Sequence, residues 1–160
     1  MIDRKLFTKE IMDFLRRQVF LFIGTSDKRG RPHTSAKPLL KIEDNYIYLV
    51  DFVVGRTYKN IKRNPKISLS AVDMNKVIGY QLYGRAEVID KGDVFRQLSG
   101  EMNSKQVRLA TERVIQGVRK STRSLVDELI SLKTVSILKI RIKEVSQIKP
   151  SGDITRDIVQ

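Results

Sequence analysis

The chain has 160 residues, with 31 Lys+Arg against 18 Asp+Glu and a formal net charge of +13. That length fits one domain with a sizeable core, and the charge favours anionic partners such as phosphorylated cofactors or nucleic acid. No cysteine and a single histidine, His33, exclude disulfides, thiolate metal sites and cysteine nucleophiles, and leave no basis for a histidine metal site or a serine triad.

In chain order, Phe7 to Arg17 reads as an amphipathic helix. Thr8 is its cap, Phe7 and Met12 form a hydrophobic staple, and Ile11, Phe14 and Leu15 give one apolar stripe. Val19 to Thr25 is a continuous apolar, β-favouring run and predicts a strand buried on both faces or nearly so. Ser26 to Gly30 is a turn, with Gly30 free to take positive φ. Arg31 to Ile42 returns as the second strand of a hairpin, with Pro32 limiting pairing at its start. After the polar turn Glu43-Asp44-Asn45, Tyr46 to Val50 is a third antiparallel strand. No apolar run reaches the length of a membrane span, and Asp3, Lys9, Glu10 and Asp13 interrupt any signal-peptide core, so the expectation is a cytoplasmic protein with no membrane partner.

Gly55-Arg56-Thr57-Tyr58-Lys59-Asn60-Ile61-Lys62-Arg63-Asn64-Pro65 then predicts a short helix between strands. Thr57 is its expected N-cap, and Pro65 ends it by turning Asn64 away from the α region. The exposed N–H groups and dipole of its first turn, beside the charge of Arg56, make an anion site suited to phosphate. A solvated basic connector is the plainer alternative.

Lys66 to Val72 is a fourth strand and Val77 to Ile89 a fifth, whose Gly84 predicts a bulge or a close backbone approach. From Asp93 the apolar period becomes helical through Val94, Leu98 and Met102 and again through Val107, Ala110, Val114 and Val118, with Gly100 to Ser104 dividing the stretch into two helices. Leu125, Val126, Leu129 and Ile130 mark a further helical stripe. Thr134 to Ile148 alternates as a long last strand. The expected division is a single domain over 1–150, with a helical insertion at about 93–132, and a C-terminal tail over 151–160. Closely spaced antiparallel strands joined by polar turns argue for a small β-barrel of the α+β class.

Four segments in this order and spacing resemble the pyridoxamine 5′-phosphate oxidase-like flavoproteins. They are Phe22-Ile23-Gly24-Thr25-Ser26-Asp27-Lys28-Arg29-Gly30-Arg31-Pro32-His33; Tyr46 to Asp51; Arg56 to Leu69; and Gly79-Tyr80-Gln81-Leu82-Tyr83-Gly84-Arg85-Ala86-Glu87-Val88. They cover roughly residues 10 to 90. The resemblance implies a six-stranded antiparallel split barrel with flanking helices, of the FMN-binding split-barrel type. It further implies a homodimer with FMN at the interface and an oxidoreductase whose chemistry belongs to the flavin, so no catalytic residue and no metal ligand is named.

By the same resemblance, Arg56 and Thr57 would hold the phosphate, with Asn60 close by. His33, Thr34, Ser35, Ala36 and Lys37 would run beside the isoalloxazine ring. Val50 and Asp51 would close its other side by main chain, and Gln81 would reach the ring edge from the partner subunit. Taken as residues alone, Lys37 is equally a solvated lysine, His33 reads as a turn or strand-edge residue, and Tyr46, Tyr48, Tyr80 and Tyr83 read as packing. The region after Glu87 departs from the vitamin B6 oxidases, which puts pyridoxamine phosphate itself in doubt as a substrate. The basic helices from Arg96 to Lys133 are the distinctive part of the chain. A deazaflavin is the alternative cofactor. A non-enzymatic flavin carrier and a basic nucleic-acid-binding barrel are the rival readings; the even spread of charge disfavours the second.

Overall fold

A computed structural model describes residues 6–115 and 133–158, with 106–115 described as backbone only. The order of elements is α1 (Lys9–Arg16), β1 (Phe20–Ser26), β2 (Pro32–Glu43), β3 (Tyr46–Asp51), α2 (Arg56–Arg63), β4 (Lys66–Asp73), β5 (Ile78–Ile89), α3 (Gly92–Ile115), β6 (Ser136–Ile148) and β7 (Ile154–Ile158). All pairings are antiparallel, in the order β3-β2-β1-β4-β5-β6-β7, and β3 also pairs with β6. That last pairing closes six strands into a barrel and leaves no open edge among them. The protein is a six-stranded antiparallel split barrel with flanking helices, as expected, and it carries a seventh strand that was not expected.

Alternation along the strands fills the barrel. Leu21 and Ile23 of β1, Leu39 of β2, Ile47 and Leu49 of β3, Leu69 of β4, Leu82 of β5 and Ile140 of β6 all point inward and are buried. α1 plugs one end with Phe14 and Leu15, and Phe14 meets the Tyr80 ring at 4.7 Å between centroids. Its cap is the expected one: the Thr8 hydroxyl accepts from the Ile11 N–H at 3.3 Å. A second apolar cluster lies on the outer side of β2, β3 and β6, where Leu98 and Met102 of α3 cover Leu40, Tyr48, Val50 and Ile137.

Four expectations change. Gly100 to Ser104 does not divide the helical stretch: α3 runs unbroken from Gly92 to Ile115, because Gly100 lies on its exposed side while Leu98 and Met102 hold the barrel. β1 is not buried on both faces, since Phe20 and Phe22 stand half exposed between the buried Leu21 and Ile23. Residues 154–158, expected within a tail, pair with β6 as β7. Thr57 is not the cap of α2; Gly55 is, in extended backbone and with no side-chain bond. The stripe Leu125 to Ile130, Val118 and the basic run Arg119 to Arg123 lie outside the described residues, while Val107, Ala110 and Val114 fall where only backbone is described. Gly30 takes the positive φ its turn requires, 77°.

Candidate functional site

β1 and β2 pair with Leu21 opposite Lys37, Ile23 opposite Ser35 and Thr25 opposite His33. Cross-strand partners share a face. His33, Ser35 and Lys37 therefore lie on the inward side, at the end of the barrel that α2 covers. Thr34 and Ala36 lie on the outward side with Gly24 and Phe22.

Two contacts organise the inward group. The Ser35 and Thr57 hydroxyls meet at 2.8 Å, with Thr57 buried on the first turn of α2. One hydroxyl donates to the other, so the pair keeps one proton to offer elsewhere. The Lys37 ammonium donates to Asp51 Oδ1 at 2.7 Å, and Asp51 is completely buried. Asp51 Oδ1 also accepts from the Val53 N–H at 3.3 Å, whereas its Oδ2 has no hydrogen-bond partner among the described residues. Ser136, opposite Asp51 across β3–β6, likewise keeps a buried hydroxyl without a partner among the described residues. The Asp51 carbonyl is already engaged by the Val135 N–H at 2.8 Å, and Val50 is buried in the cluster beneath α3.

The N-terminus of α2 is open. Its first intrahelical bond runs from the Lys59 N–H to the Gly55 carbonyl at 3.2 Å, so the N–H groups of Arg56, Thr57 and Tyr58 precede the ladder, as at any helix start. No side chain among the described residues caps them. Arg56 and Lys59 are exposed and make no ion pair among the described residues. Asn60 turns away from this end: buried, it donates to the Thr25 hydroxyl at 3.0 Å, and Thr25 donates to the His33 carbonyl at 3.5 Å. α2 is anchored on its other side by Asp90, which accepts from the Tyr58 hydroxyl at 2.6 Å and pairs with Lys62 at 3.3 Å. The Tyr58 hydroxyl, then Lys62, hold the Asp90 carboxyl below its ordinary pKa, and the same hydrogen bond raises Tyr58.

Gln81 is elsewhere. Its partners across β4 and β6 are Ser70 and Ser146, and Ser70 is opposite Phe22. It therefore sits on the outward face, with Ala36 and Phe22 in the same row. That face is unusually apolar, with Phe20 49%, Phe22 51% and Val72 53% exposed.

The structure thus joins Ser35 to Thr57 and Lys37 to Asp51, leaves Arg56 open at the helix start, and places Thr34, Ala36 and Gln81 on a separate surface. Thr25 and Ser136 were missed by sequence reasoning. Thr25 continues the inward alternation of Leu21 and Ile23, which is the signal that could have found it. Among the described residues, no group of acidic or histidine side chains is placed to hold a metal.

A closed barrel covered at one end by α2, with the helix start open beside it, defines a split-barrel protein. A model of the pyridoxamine 5′-phosphate oxidase family matches residues 7–149, and the chain belongs to that family. A protein of uncharacterised function from Methanocaldococcus jannaschii is 30% identical over 92 residues, covering 56% of this chain and 60% of that relative. Among solved structures, a pyridoxamine 5′-phosphate oxidase-related, FMN-binding protein from Nostoc punctiforme superposes with a TM-score of 0.56 at 12% identity, covering 89% of this chain and 88% of that one. An F420 reductase superposes with a TM-score of 0.55 at 17% identity, covering 84% and 94%. At these identities the two structures share the fold with this chain. No helix among the described residues is long and apolar enough to cross a membrane.

Proposed function

We propose that this protein is a cytoplasmic, homodimeric, FMN-binding oxidoreductase acting on a substrate still to be identified. The observation that carries the reading is the uncapped start of α2, where Arg56 stands exposed, with no ion pair among the described residues, beside the Ser35–Thr57 hydroxyl pair. A phosphate group needs charge-assisted donors in fixed geometry. Arg56, the first N–H groups of α2 and the spare proton of the hydroxyl pair supply them. The residues present fit FMN on that count. FMN binding by the Nostoc protein and the family membership support the same cofactor.

When bound, the flavin supplies hydride and electron transfer, chemistry for which no protein nucleophile is needed. The chain's own residues bind and orient. Arg56 neutralises the phosphate. Lys37, fixed by Asp51, holds a cation at the same end of β2. Gln81 and the outward edge of β2 belong to the face on which a second copy would pack, since half-exposed Phe20, Phe22 and Val72 need cover. Gln81 thereby reaches a flavin from the partner subunit.

The test is the visible spectrum of the purified protein before and after adding FMN, with chromatography of the ligand released by heat. A yellow protein releasing FMN supports the reading, and a colourless protein that ignores FMN overturns it. Uptake of deazaflavin in place of FMN changes the cofactor, a possibility that the F420 reductase fold keeps in view. FMN binding without turnover of reduced nicotinamide assigns the protein as a carrier.

A further inference from the structure

Lys37 and Asp51 form a buried ion pair that the phosphate site does not use. The Asp51 side chain is fully enclosed and that of Lys37 is 12% exposed. β2 and β3 bring them onto one inward row: Leu39 stands opposite Leu49, and each charged residue lies two positions further along its strand. Ser35, two residues before Lys37 on the same row, bonds Thr57 on the first turn of α2. The pair therefore borders the end of the barrel where the proposed phosphate site lies.

Stability does not account for this pair. Desolvating two charges offsets their attraction unless further bonds complete the site, and apolar residues of similar volume would hold the barrel equally well. Here the site is incomplete. A carboxylate can accept about four hydrogen bonds. Asp51 accepts on Oδ1 from Lys37 at 2.7 Å and from the Val53 N–H at 3.3 Å. Its Oδ2 has no partner among the described residues, and neither has the buried hydroxyl of Ser136, which lies opposite on β6. The carboxylate charge is thus concentrated on Lys37 rather than spread through a network. The ammonium, for its part, has further protons to donate beyond the one given to Asp51.

We propose that Asp51 is a positioning residue: it fixes the Lys37 ammonium beside the bound flavin and offsets its charge, holding the flavin's reduction potential below what a free lysine would give. The inference rests on the FMN reading above. Uptake of two electrons and one proton by FMN leaves a negative charge on the ring, and a cation beside the ring stabilises that form. A lysine alone would present a full positive charge. A lysine bonded to a buried carboxylate presents a neutral pair with a donor in a fixed place.

The test is the midpoint potential of bound FMN, read by dithionite titration against a reference dye. Asp51→Asn keeps the shape and leaves the lysine uncompensated. It should favour reduced over oxidised FMN by about tenfold, which is about 30 mV for a two-electron couple. One elementary charge at roughly 10 Å is worth about that much in a protein's effective dielectric. Lys37→Met should shift the ratio by about tenfold the other way. Lys37→Met with Asp51→Asn, neutral like the wild-type pair, should return close to wild type. A packing defect alone would give neither opposite signs nor this return. The same potential in wild type and variants overturns the proposal, as does a shift in Asp51→Asn that persists once Lys37 is also removed. Should Asp51→Asn not fold, the sign of the Lys37→Met shift decides. Failure of wild type to take up FMN overturns the cofactor reading and this inference with it, whereas FMN uptake with unmoved potentials overturns this inference alone.

Discussion

At the residue scale, Arg56 and Lys37 show how two cationic side chains acquire different roles. Arg56 is exposed and makes no ion pair among the described residues, whereas Lys37 is almost enclosed and bonded to a fully buried carboxylate. Arg56→Ala should leave the fold intact and weaken FMN by roughly ten- to a hundredfold, the worth of a charge-assisted bond. Riboflavin, which lacks the phosphate, should change little, and comparing the two by fluorescence titration checks the assignment. Lys37→Met strands the Asp51 charge and should cost about 3 kcal/mol in denaturant unfolding. Adding Asp51→Asn should recover part of the loss. Asp90 sets a pH dependence. Its folded pKa lies below the ordinary 3.8, first through the Tyr58 hydroxyl and then through Lys62. Its contribution is therefore present above that ordinary value and lost as pH falls through the folded pKa. Asp90→Asn should be less stable than wild type at pH ~7, and the gap should shrink in acid below the ordinary value.

At the element scale, Gly84 of β5 and Gly100 of α3 have opposite expected effects. Gly84 faces the backbone of β6 at a distance no Cβ can share. Gly84→Ala must push the strands apart, and overpacking of this kind costs about 1–3 kcal/mol. Gly100 has nothing within 4 Å of a built Cβ and lies inside α3. Gly100→Ala should stabilise the protein by about 0.5–1 kcal/mol. Thermal unfolding of both variants reads the two signs directly. The same contrast explains why the sequence misleads at α3. A glycine in a helical pattern reads as a break, yet the packing of Leu98 and Met102 on the barrel's outer face outweighs a local propensity near 1 kcal/mol.

At the scale of the whole molecule, the outward face of β1 and β4 is the surface a second copy is expected to cover. Phe20 and Phe22 stand half exposed on one strand, and Val72 follows on its neighbour β4. Phe20→Lys with Phe22→Lys should convert a dimer into a monomer in light scattering while circular dichroism stays unchanged. A wild type that is already monomeric would remove the shared site. Gln81 belongs to this scale as well. Its face is opposite that of Lys37, so within one chain the two cannot serve one side of a ligand.

Much was legible in the residues themselves. Apolar runs bounded by turns, period-2 alternation and helical spacings mark the six barrel strands and the start of α3, because burial selects apolar side chains whatever the tertiary partner. Thr8, Gly30 and Gly84 announce local geometry, because a cap hydroxyl, a positive φ and a close backbone approach are requirements of a few atoms. The tertiary structure decided what depends on distant strands. It shifted the cap of α2 to Gly55, since Thr57 is drawn to Ser35 on β2. It turned the apolar run of β1 into a half-open strand, because a run of hydrophobic residues does not say which face finds cover. It also made 154–158 a strand, since pairing at the edge of β6 rests on main-chain bonds that leave little mark on side-chain identity. Above all, it buried Asp51 against Lys37: residues 14 apart in the chain meet only because the β2–β3 hairpin folds them onto one inward row.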